Sequence, residues 1–355
     1  MNRARLARYS LYAGATAVVA ATVIWLEWPA VSQLWSSVVG FAEENWRRAF
    51  GGRGRLLMYF TVFMLLEVCF LAWQNTTVFI VFVERKLSAM TDIAWTVIGV
   101  SGLKTATEYT FTLGFAFVAV KLLDAAVGQL GWFRWELPSD GIIPVTLAFA
   151  VYFLVSTFVQ YWLHRLQHWR WFWQLHRLHH SATEFNLFLN WRVNPAEGVT
   201  NILLLLSPTI FLKVPDAGLF AVYVFAYQLI STAQHSQLPW SYGWIGQWIM
   251  ASPQNHQIHH SIDEEHRDHN FSTCPLWDRM FGTWYAGSNR PSGYGIADPA
   301  PVERPLTQFL ADTWIFYRDV TCWLAGAIRS TLARGRGQRP PSQHATDTAA
   351  TIPAE

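Results

Sequence analysis

The stretch that decides the reading is Ile142-Ile-Pro-Val-Thr-Leu-Ala-Phe-Ala-Val-Tyr-Phe-Leu-Val-Ser-Thr-Phe-Val-Gln-Tyr-Trp-Leu-His164-Arg-Leu-Gln-His168. From Ile142 to Leu163 it carries no charged residue, and a helical membrane span needs roughly 20 mainly apolar residues. The segment reads as a transmembrane helix, so His164 and His168 emerge at its membrane surface. Each helical residue advances by about 100°, which leaves residues i and i+4 about 40° apart on one face. Two imidazoles so placed can chelate a metal ion from a single turn.

Working outward, His176-Arg-Leu-His179-His180 and His256-Gln-Ile-His259-His260 are both HxxHH, again confined to one helix face. Eleven of the twelve histidines fall between His164 and His269, and only His344 lies outside. A continuous helix from 164 to 180 spreads the first five over about 160°, so two helices bent near Trp169–Trp173 converge better. His235 ends the apolar segment Ala217–Gln234, and Ser252-Pro253 supplies an N-cap and an N1 proline for a helix bearing His256. The run Gln174–Glu184 echoes Gln254–Glu264, and in both an SxxE (Ser181 to Glu184, Ser261 to Glu264) predicts a capping box that starts a new helix. Two similar halves facing each other suit a two-metal site. A lone buried histidine is usually a hydrogen-bonded core residue, a reading open for His235 by itself but not for three motifs at chelating spacing. His266 and His269 lie near the cluster but off its stripe, and read either as surface residues or as further ligands. The Trp-rich run Trp169–Trp173 reads as an interfacial anchor.

Composition supports a lipid environment. The 355 residues are 52% hydrophobic and 14% charged, against about 25% charged in soluble domains. The twenty tryptophans suit the membrane–water interface. A net charge of +2 with no basic stripe argues against nucleic acid. Cys69, Cys274 and Cys322 form no CxxC pair, which excludes a zinc ribbon or iron–sulfur ligand set.

Arg3, Arg5 and Arg8 before the apolar run Tyr9–Leu26 read as a signal anchor with a cytoplasmic N-terminus. Further candidate spans are Leu56–Val83, interrupted by Glu67 and Gln74-Asn75-Thr76-Thr77, and Thr110–Leu130, which contains Lys121 and Asp124. Val199–Leu212 and Ala217–Gln234 flank a Lys-Val-Pro-Asp turn and predict a returning hairpin. The arginines in Glu43–Arg55 conflict with one full span before them, so Trp28–Val39 reads as returning or interfacial, and the total is four to six spans. Leu306–Arg329 predicts an amphipathic surface helix, and 334–355 a disordered tail. The fold class is therefore all-α: a multi-pass transmembrane helical bundle with a cytosolic His-rich helical cap holding two metals.

Imidazole suits zinc, copper, iron and nickel, while one catalytic zinc needs only three protein ligands. Eight or nine histidines exceed one metal and fit two. There is no HExxH, which argues against a zincin protease.

With these motifs in view, the chain resembles the fatty acid hydroxylase/sterol desaturase superfamily of membrane-bound di-iron proteins. The resemblance covers roughly Val145–Tyr285. It rests on the three histidine motifs, Gln234-His235-Ser236, Ser252-Pro253-x-x-His256, Asp268-x-Asn270-Phe271 and Trp277-Asp278-Arg279-x-Phe281-Gly282-Thr283. It implies that His164, His168, His176, His179, His180, His235, His256, His259 and His260 bind two iron ions, on the cytosolic side of a mostly helical bundle. It also implies that Asn270 and Asp278 support them from behind, fixing histidine tautomers. Two departures stand out. Arg192-Val-Asn194-Pro195 has Asn194 where many relatives have histidine, and Asn270-Phe271-Ser272 has serine where many have glycine. The chain divides into N-terminal spans and interfacial segments (1–140), a fatty acid hydroxylase-like catalytic domain (141–290), a C-terminal amphipathic segment (291–333) and the tail (334–355).

The expected chemistry is O2-dependent oxidation of an unactivated C–H bond in a membrane lipid, with the metals doing the hard step and the protein supplying geometry, a dry channel and register. Hydroxylation and desaturation share the first hydrogen abstraction, and sterol, fatty acyl and related lipids all suit the motifs. No haem-domain signature or cysteine cluster is present, so a separate reductase, ferredoxin or cytochrome is expected to donate electrons. Compact size and the lack of an ER-type retention signal point to a bacterial inner membrane, with the site facing the cytoplasm. The main alternative is a zinc-dependent membrane lipid hydrolase, which leaves most of the histidines unexplained. A haem-binding or metal-carrying membrane protein is a second; it conflicts with histidines in polar segments such as Asp263–His269.

Overall fold

The computed structural model describes residues 58–101, 142–198, 217–287, 289–297 and 307–335, with isolated positions (103, 107, 108, 110, 112, 125, 135, 136, 200, 212 and 213) between them. The chain divides into two units, Met1–Arg55 and Leu56–Glu355, and the described residues fall in the second. The signal anchor, Trp28–Val39, Glu43–Arg55, nearly all of Thr110–Leu130 and Val199–Leu212, and the tail beyond Gly335 lie outside them.

The described chain is mostly helical. Its helices are α1 (Met58–Phe70), α2 (Leu87–Val100), α3 (Ile142–Gln167), α4 (Arg170–His180), α5 (Ala217–Gln234), α6 (Gly243–Trp248), α7 (Pro253–His259), α8 (Pro275–Met280) and α9 (Gln308–Gly335). One addition to the all-α expectation is a two-residue parallel pairing of β1 (Trp135–Glu136) with β2 (Leu212–Lys213).

Within α3, the segment Thr146–Gln167, of mean hydropathy 1.5, is long and apolar enough to cross a membrane; it is the one such helix among the described residues. Leu147, Leu154, Phe158 and Trp162 stand exposed along it, a surface that suits lipid better than water.

The expected span Leu56–Val83 is corrected. Helix α1 stops at Phe70, a 3-10 turn follows at Trp73–Asn75, and Phe79–Glu84 is π-helical. The polar patch breaks the helix because its groups find local partners. The Thr76 hydroxyl donates to the Trp73 carbonyl and accepts from the Phe79 amide. Glu67, buried on α1, accepts the Thr77 amide at 2.7 Å and the Gln237 amide at 2.8 Å. An acidic residue inside an apolar run thus ties α1 to the segment just after His235.

The core between these parts is small and aromatic. Phe60 and Phe63 of α1 meet Leu187, Ala233 and Leu238. Helix α2 packs on the 3-10 turn Leu187–Trp191, where Gly99 permits a close approach: a Cβ there would lie 2.2 Å from Cε3 of Trp191.

The amphipathic helix expected at Leu306–Arg329 is α9. It packs along α4 through Phe172–Phe316 and Trp171–Trp323 ring contacts and a buried Arg177–Asp312 ion pair, leaving Trp314 exposed on its other side. Asn194 serves the same junction. Its Oδ1 accepts the Ala196 amide and the Thr313 hydroxyl, and its Nδ2 donates to the Phe309 carbonyl.

Candidate metal centre

Helix α3 ends at Gln167, the chain turns at His168–Trp169, and α4 starts at Arg170, so the bend expected near Trp169–Trp173 is present. Helix α7 begins as its sequence predicts. Ser252 accepts from the Asn255 amide, Asn255 accepts from the Ser252 amide, and Pro253 occupies the first turn. The two SxxE motifs, however, are not capping boxes. Ser181 closes α4 and donates to the Leu178 carbonyl, and Ser261 accepts the Asp263 amide while its backbone pairs with Tyr294. Short-range turn partners outcompete the distant glutamates.

The structure brings all nine singled-out histidines together in two groups. His164, His168, His176, His180 and His259 form one; His179, His235, His256 and His260 form the other. Within each, one nitrogen per residue lies within 4.8 Å of the rest. The HxxHH motifs interleave. Helix α4 gives its i,i+4 pair, His176 and His180, to the first group and His179 to the second. Helix α7 gives His256 and His260 to the second and His259 to the first. His180 and His260 stack between the groups, ring centroids 4.3 Å apart. The echo in sequence becomes an exchange of ligands between facing halves.

Backbone carbonyls fix four tautomers. His164 Nδ1 lies 2.6 Å from the Phe271 carbonyl oxygen, His179 Nδ1 3.2 Å from that of Arg192, His235 Nδ1 2.8 Å from that of Ser231, and His259 Nδ1 2.8 Å from that of His269. A carbonyl only accepts, so each Nδ1 carries the proton and each Nε2 presents a lone pair. His176 Nδ1 faces Glu197 Oε2 at 3.3 Å, a carboxylate behind an imidazole.

The consequence is a chemical conflict that a cation resolves. His164 and His259 both have Nδ1 committed as donor, yet their Nε2 atoms are 3.1 Å apart. Two lone pairs at that distance repel; a metal ion between them is attracted to both. His256 and His235 Nε2 stand 3.0 Å apart in the second group. The Nε2 atoms of His168, His180 and His260 are buried with no hydrogen-bond partner among the described residues. An all-imidazole set of this kind fits a borderline divalent metal such as iron or zinc.

Burial keeps these groups neutral. It depresses His259 to about 3 and His235 to about 4, and holds His168, His179, His180, His256 and His260 well below the ordinary imidazole value, with neighbouring imidazoles adding to the effect. Neutral imidazole is the metal-binding form.

Asn270 and Asp278 support the histidines through the backbone. Asp278 accepts the amides of Phe271 and Ser272 and the Thr283 hydroxyl, and so fixes the carbonyl that meets His164. Burial pushes its carboxyl up to about 7. Asn270, in the left-handed region at φ 57, accepts the Tyr285 amide and donates to the Asn255 carbonyl. Asparagine tolerates that conformation better than most residues. His266 is corrected from the surface to the interior: it is buried, with Nδ1 2.8 Å from the Ser261 hydroxyl and its ring against Tyr285. His269 supplies its carbonyl to His259, while its own ring leans on Tyr285. Neither ring joins a group.

Three supporting residues were not singled out from sequence: Asp92, Arg192 and Glu197. Asp92 and Arg192 are 3.0 Å apart and fully buried. For Asp92 the available signal is a lone acid inside the apolar run Leu87–Val100.

A cavity of about 300 Å³ reaches the histidines between α3, α5 and the turns Leu187–Trp191 and Pro195–Glu197. His164 and His176 of the first group and His179, His235 and His256 of the second border it. Leu163, Trp191 and Val193 give it apolar wall; Gln167, Glu197 and Thr232 are among its polar residues.

Residues 149–283 match the fatty acid hydroxylase family model, a span that contains every one of the nine histidines. That match covers less than half of the chain. The chain is similar to alkylglycerol monooxygenase of Xenopus tropicalis, with 30% identity over 43% of this chain and 34% of the relative. The human alkylglycerol monooxygenase shares 26% over 43% and 34%, and methylsterol monooxygenase 1-3 of Arabidopsis thaliana 26% over 44% and 54%. The chain thus spans about a third of the alkylglycerol monooxygenases it matches and about half of the methylsterol enzyme. No solved structure matches.

Proposed function

We propose that the chain is a membrane-resident, O2-dependent lipid monooxygenase whose nine histidines hold two iron ions, five imidazoles at one and four at the other. The observation that carries the reading is the 3.1 Å approach of His164 Nε2 to His259 Nε2, both rings already committed as donors through Nδ1, a contact that a bound cation satisfies; His235 and His256 Nε2 stand 3.0 Å apart in the other group. The similarity to alkylglycerol and methylsterol monooxygenases favours hydroxylation over desaturation.

Iron supplies the activation of O2 that an unactivated C–H bond demands. The chain's own residues do the rest. Carbonyls of Phe271, Arg192, Ser231 and His269 orient the imidazoles. Asp278 holds the Phe271 carbonyl in place. The cavity wall presents substrate to both groups, and burial around the histidines excludes bulk water. In the balanced reaction one oxygen atom enters the C–H bond and the other leaves as water, with two electrons drawn from a separate donor protein and two protons from solvent. With α3 crossing the bilayer, a lipid reaches the cavity without leaving the membrane.

The test is protein purified in mild detergent, assayed for metal and incubated with lipid extract, a reductant and 18O2. About two irons per chain and a product carrying one 18O are expected. A single zinc, with lipid turnover that needs neither O2 nor reductant, would falsify the reading in favour of a hydrolase.

A further inference from the structure

A buried carboxylate in the cavity wall leaves a hydrogen bond unmade among the described residues. Glu197 lines the cavity from the turn Pro195–Glu197 and is only 4% exposed. Its Oε2 accepts from Gln167 Nε2 at 2.7 Å and faces His176 Nδ1 at 3.3 Å, whereas Oε1 has no hydrogen-bond partner among the described residues. Other polar wall residues are engaged with the protein. Gln160 bridges the Phe271 carbonyl and the Thr273 amide, Gln234 donates to the Ala251 carbonyl, and Ser231 donates to Asn190. A buried carboxylate oxygen without a donor is costly, so the surroundings are built for a donor that arrives with the occupant of the cavity. A hydrocarbon tail cannot supply one. A hydroxyl can.

We propose that Glu197 Oε1 accepts a hydroxyl hydrogen from the substrate, so that the chain selects lipids with a free O–H close to the carbon being oxidised. The geometry sets how close. Glu197 stands behind the ring of His176, whose Nε2 faces His164 in the first group. The hydroxyl is therefore separated from the metal position by the imidazole and by the carboxylate contact behind it, and the reacting carbon lies several bonds away. A glycerol ether and a sterol both offer that arrangement; a plain alkane or an acyl ester chain does not. The inference rests on the lipid monooxygenase reading and names the substrate class for the same site.

The experiment is anaerobic equilibrium binding, which measures recognition without turnover. The probes are tritiated 1-O-hexadecylglycerol and its di-O-methyl ether, with cholestanol and its methyl ether as a second pair. The wild-type chain is expected to bind at least one free hydroxyl lipid about tenfold or more tighter than its methylated partner, the scale of a hydrogen bond to a charged group. In Glu197→Gln the amide N–H donates equally well to a hydroxyl or an ether oxygen, so discrimination should fall to within about twofold while iron content holds. Equal binding of both partners in both pairs by the wild type means that water serves Oε1, and overturns the proposal. Undiminished discrimination in an iron-loaded Glu197→Gln chain overturns it too.

If that variant loses its iron through the His176 contact, a hexadecylglycerol bearing a diazirine beside its hydroxyls decides on the wild type. Labelling of the peptide that contains Glu197 supports the proposal, and labelling elsewhere alone rejects it. Selective binding by a chain without iron or O2 consumption would keep this inference and remove the oxygenase reading. An iron-loaded, O2-consuming chain without selectivity would do the reverse.

Discussion

Asp92 Oδ1 lies 3.0 Å from Arg192 Nη1, with neither side chain open to solvent, and the Arg192 carbonyl is the one that meets His179 Nδ1. Asp92 also accepts from Asn186, the residue that caps the turn Leu187–Trp191. One carboxylate on α2 thus anchors the strap that orients a second-group imidazole. Removing one partner of a buried pair leaves an uncompensated charge, at a cost of about 3–5 kcal/mol. Asp92→Ala is expected to lower the melting temperature sharply and to reduce bound metal. Asp92→Leu combined with Arg192→Met should be milder than Asp92→Ala, because no charge remains stranded. Thermal melts of the variants in detergent check this, and a double variant worse than the single would contradict the argument.

The interleaving of the two HxxHH motifs makes a separate prediction. His259, on α7, sits with the first group; His179, on α4, sits with the second. His259→Ala and His179→Ala should each lose about one of two metals, since each ion keeps its other imidazoles but loses a ligand whose Nδ1 partner had fixed its orientation. His266→Ala, although buried, should keep its full metal content while losing stability. Metal analysis per chain separates these outcomes. If His266→Ala depletes metal as deeply as His259→Ala, the grouping is wrong.

The sequence made the site legible and its supports obscure, for a physical reason. Helical spacing is a local property, so His176, His179 and His180 on one turn, or Ser252 and Pro253 at a helix start, are visible without knowing the fold. The same locality exposed the bend after Gln167. The orienting partners are carbonyls of Phe271, Arg192, Ser231 and His269, which every residue possesses and no side chain advertises. Asp278 and Asn270 stood out by family resemblance, yet their work is done on backbone groups rather than on imidazoles. Glu67 registered as an interruption to a span; only the fold reveals that it pairs with amides at Thr77 and Gln237, 10 and 170 residues away. The SxxE motifs failed for the complementary reason: nearer partners for Ser181 and Ser261 depend on turns that spacing alone does not specify.

Acid should act late on this centre. The folded values of His259, about 3, and His235, about 4, lie below the unfolded value near 6.5. A histidine depressed in this way binds fewer protons folded than unfolded. Its contribution to stability is fully present above pH 6.5 and is lost as pH falls from 6.5 towards 4 and then 3. The metal-free chain should therefore melt at progressively lower temperature over that window. Because His259 and His235 remain neutral in the folded chain at pH 5, where an exposed imidazole is mostly protonated, the loaded chain should still hold its metal there. Desalting at stepped pH followed by metal analysis tests this. Release centred near pH 6, with the fold intact, would show histidines that titrate as exposed groups do.

Gly99 offers a way to alter the cavity without touching a histidine. A Cβ at this position would meet Trp191 Cε3 at 2.2 Å and Cζ3 at 2.7 Å, and Trp191 forms part of the cavity wall. Two effects oppose each other in Gly99→Ala. Alanine is the better helix former by about 1 kcal/mol. Forcing the indole aside costs about 1–3 kcal/mol. Overpacking wins or nearly balances, so the melting temperature should fall slightly or hold. The larger effect is on the cavity: the displaced indole narrows it, and binding of a lipid probe should weaken about tenfold, a loss of about 1.4 kcal/mol. Metal content should fall less than in Asp92→Ala, because the Asp92–Arg192 pair that anchors the orienting carbonyl is left in place. Gly99→Val should exaggerate both effects. Wild-type binding in a folded, metal-loaded Gly99→Val chain would mean that Trp191 does not bound the lipid path.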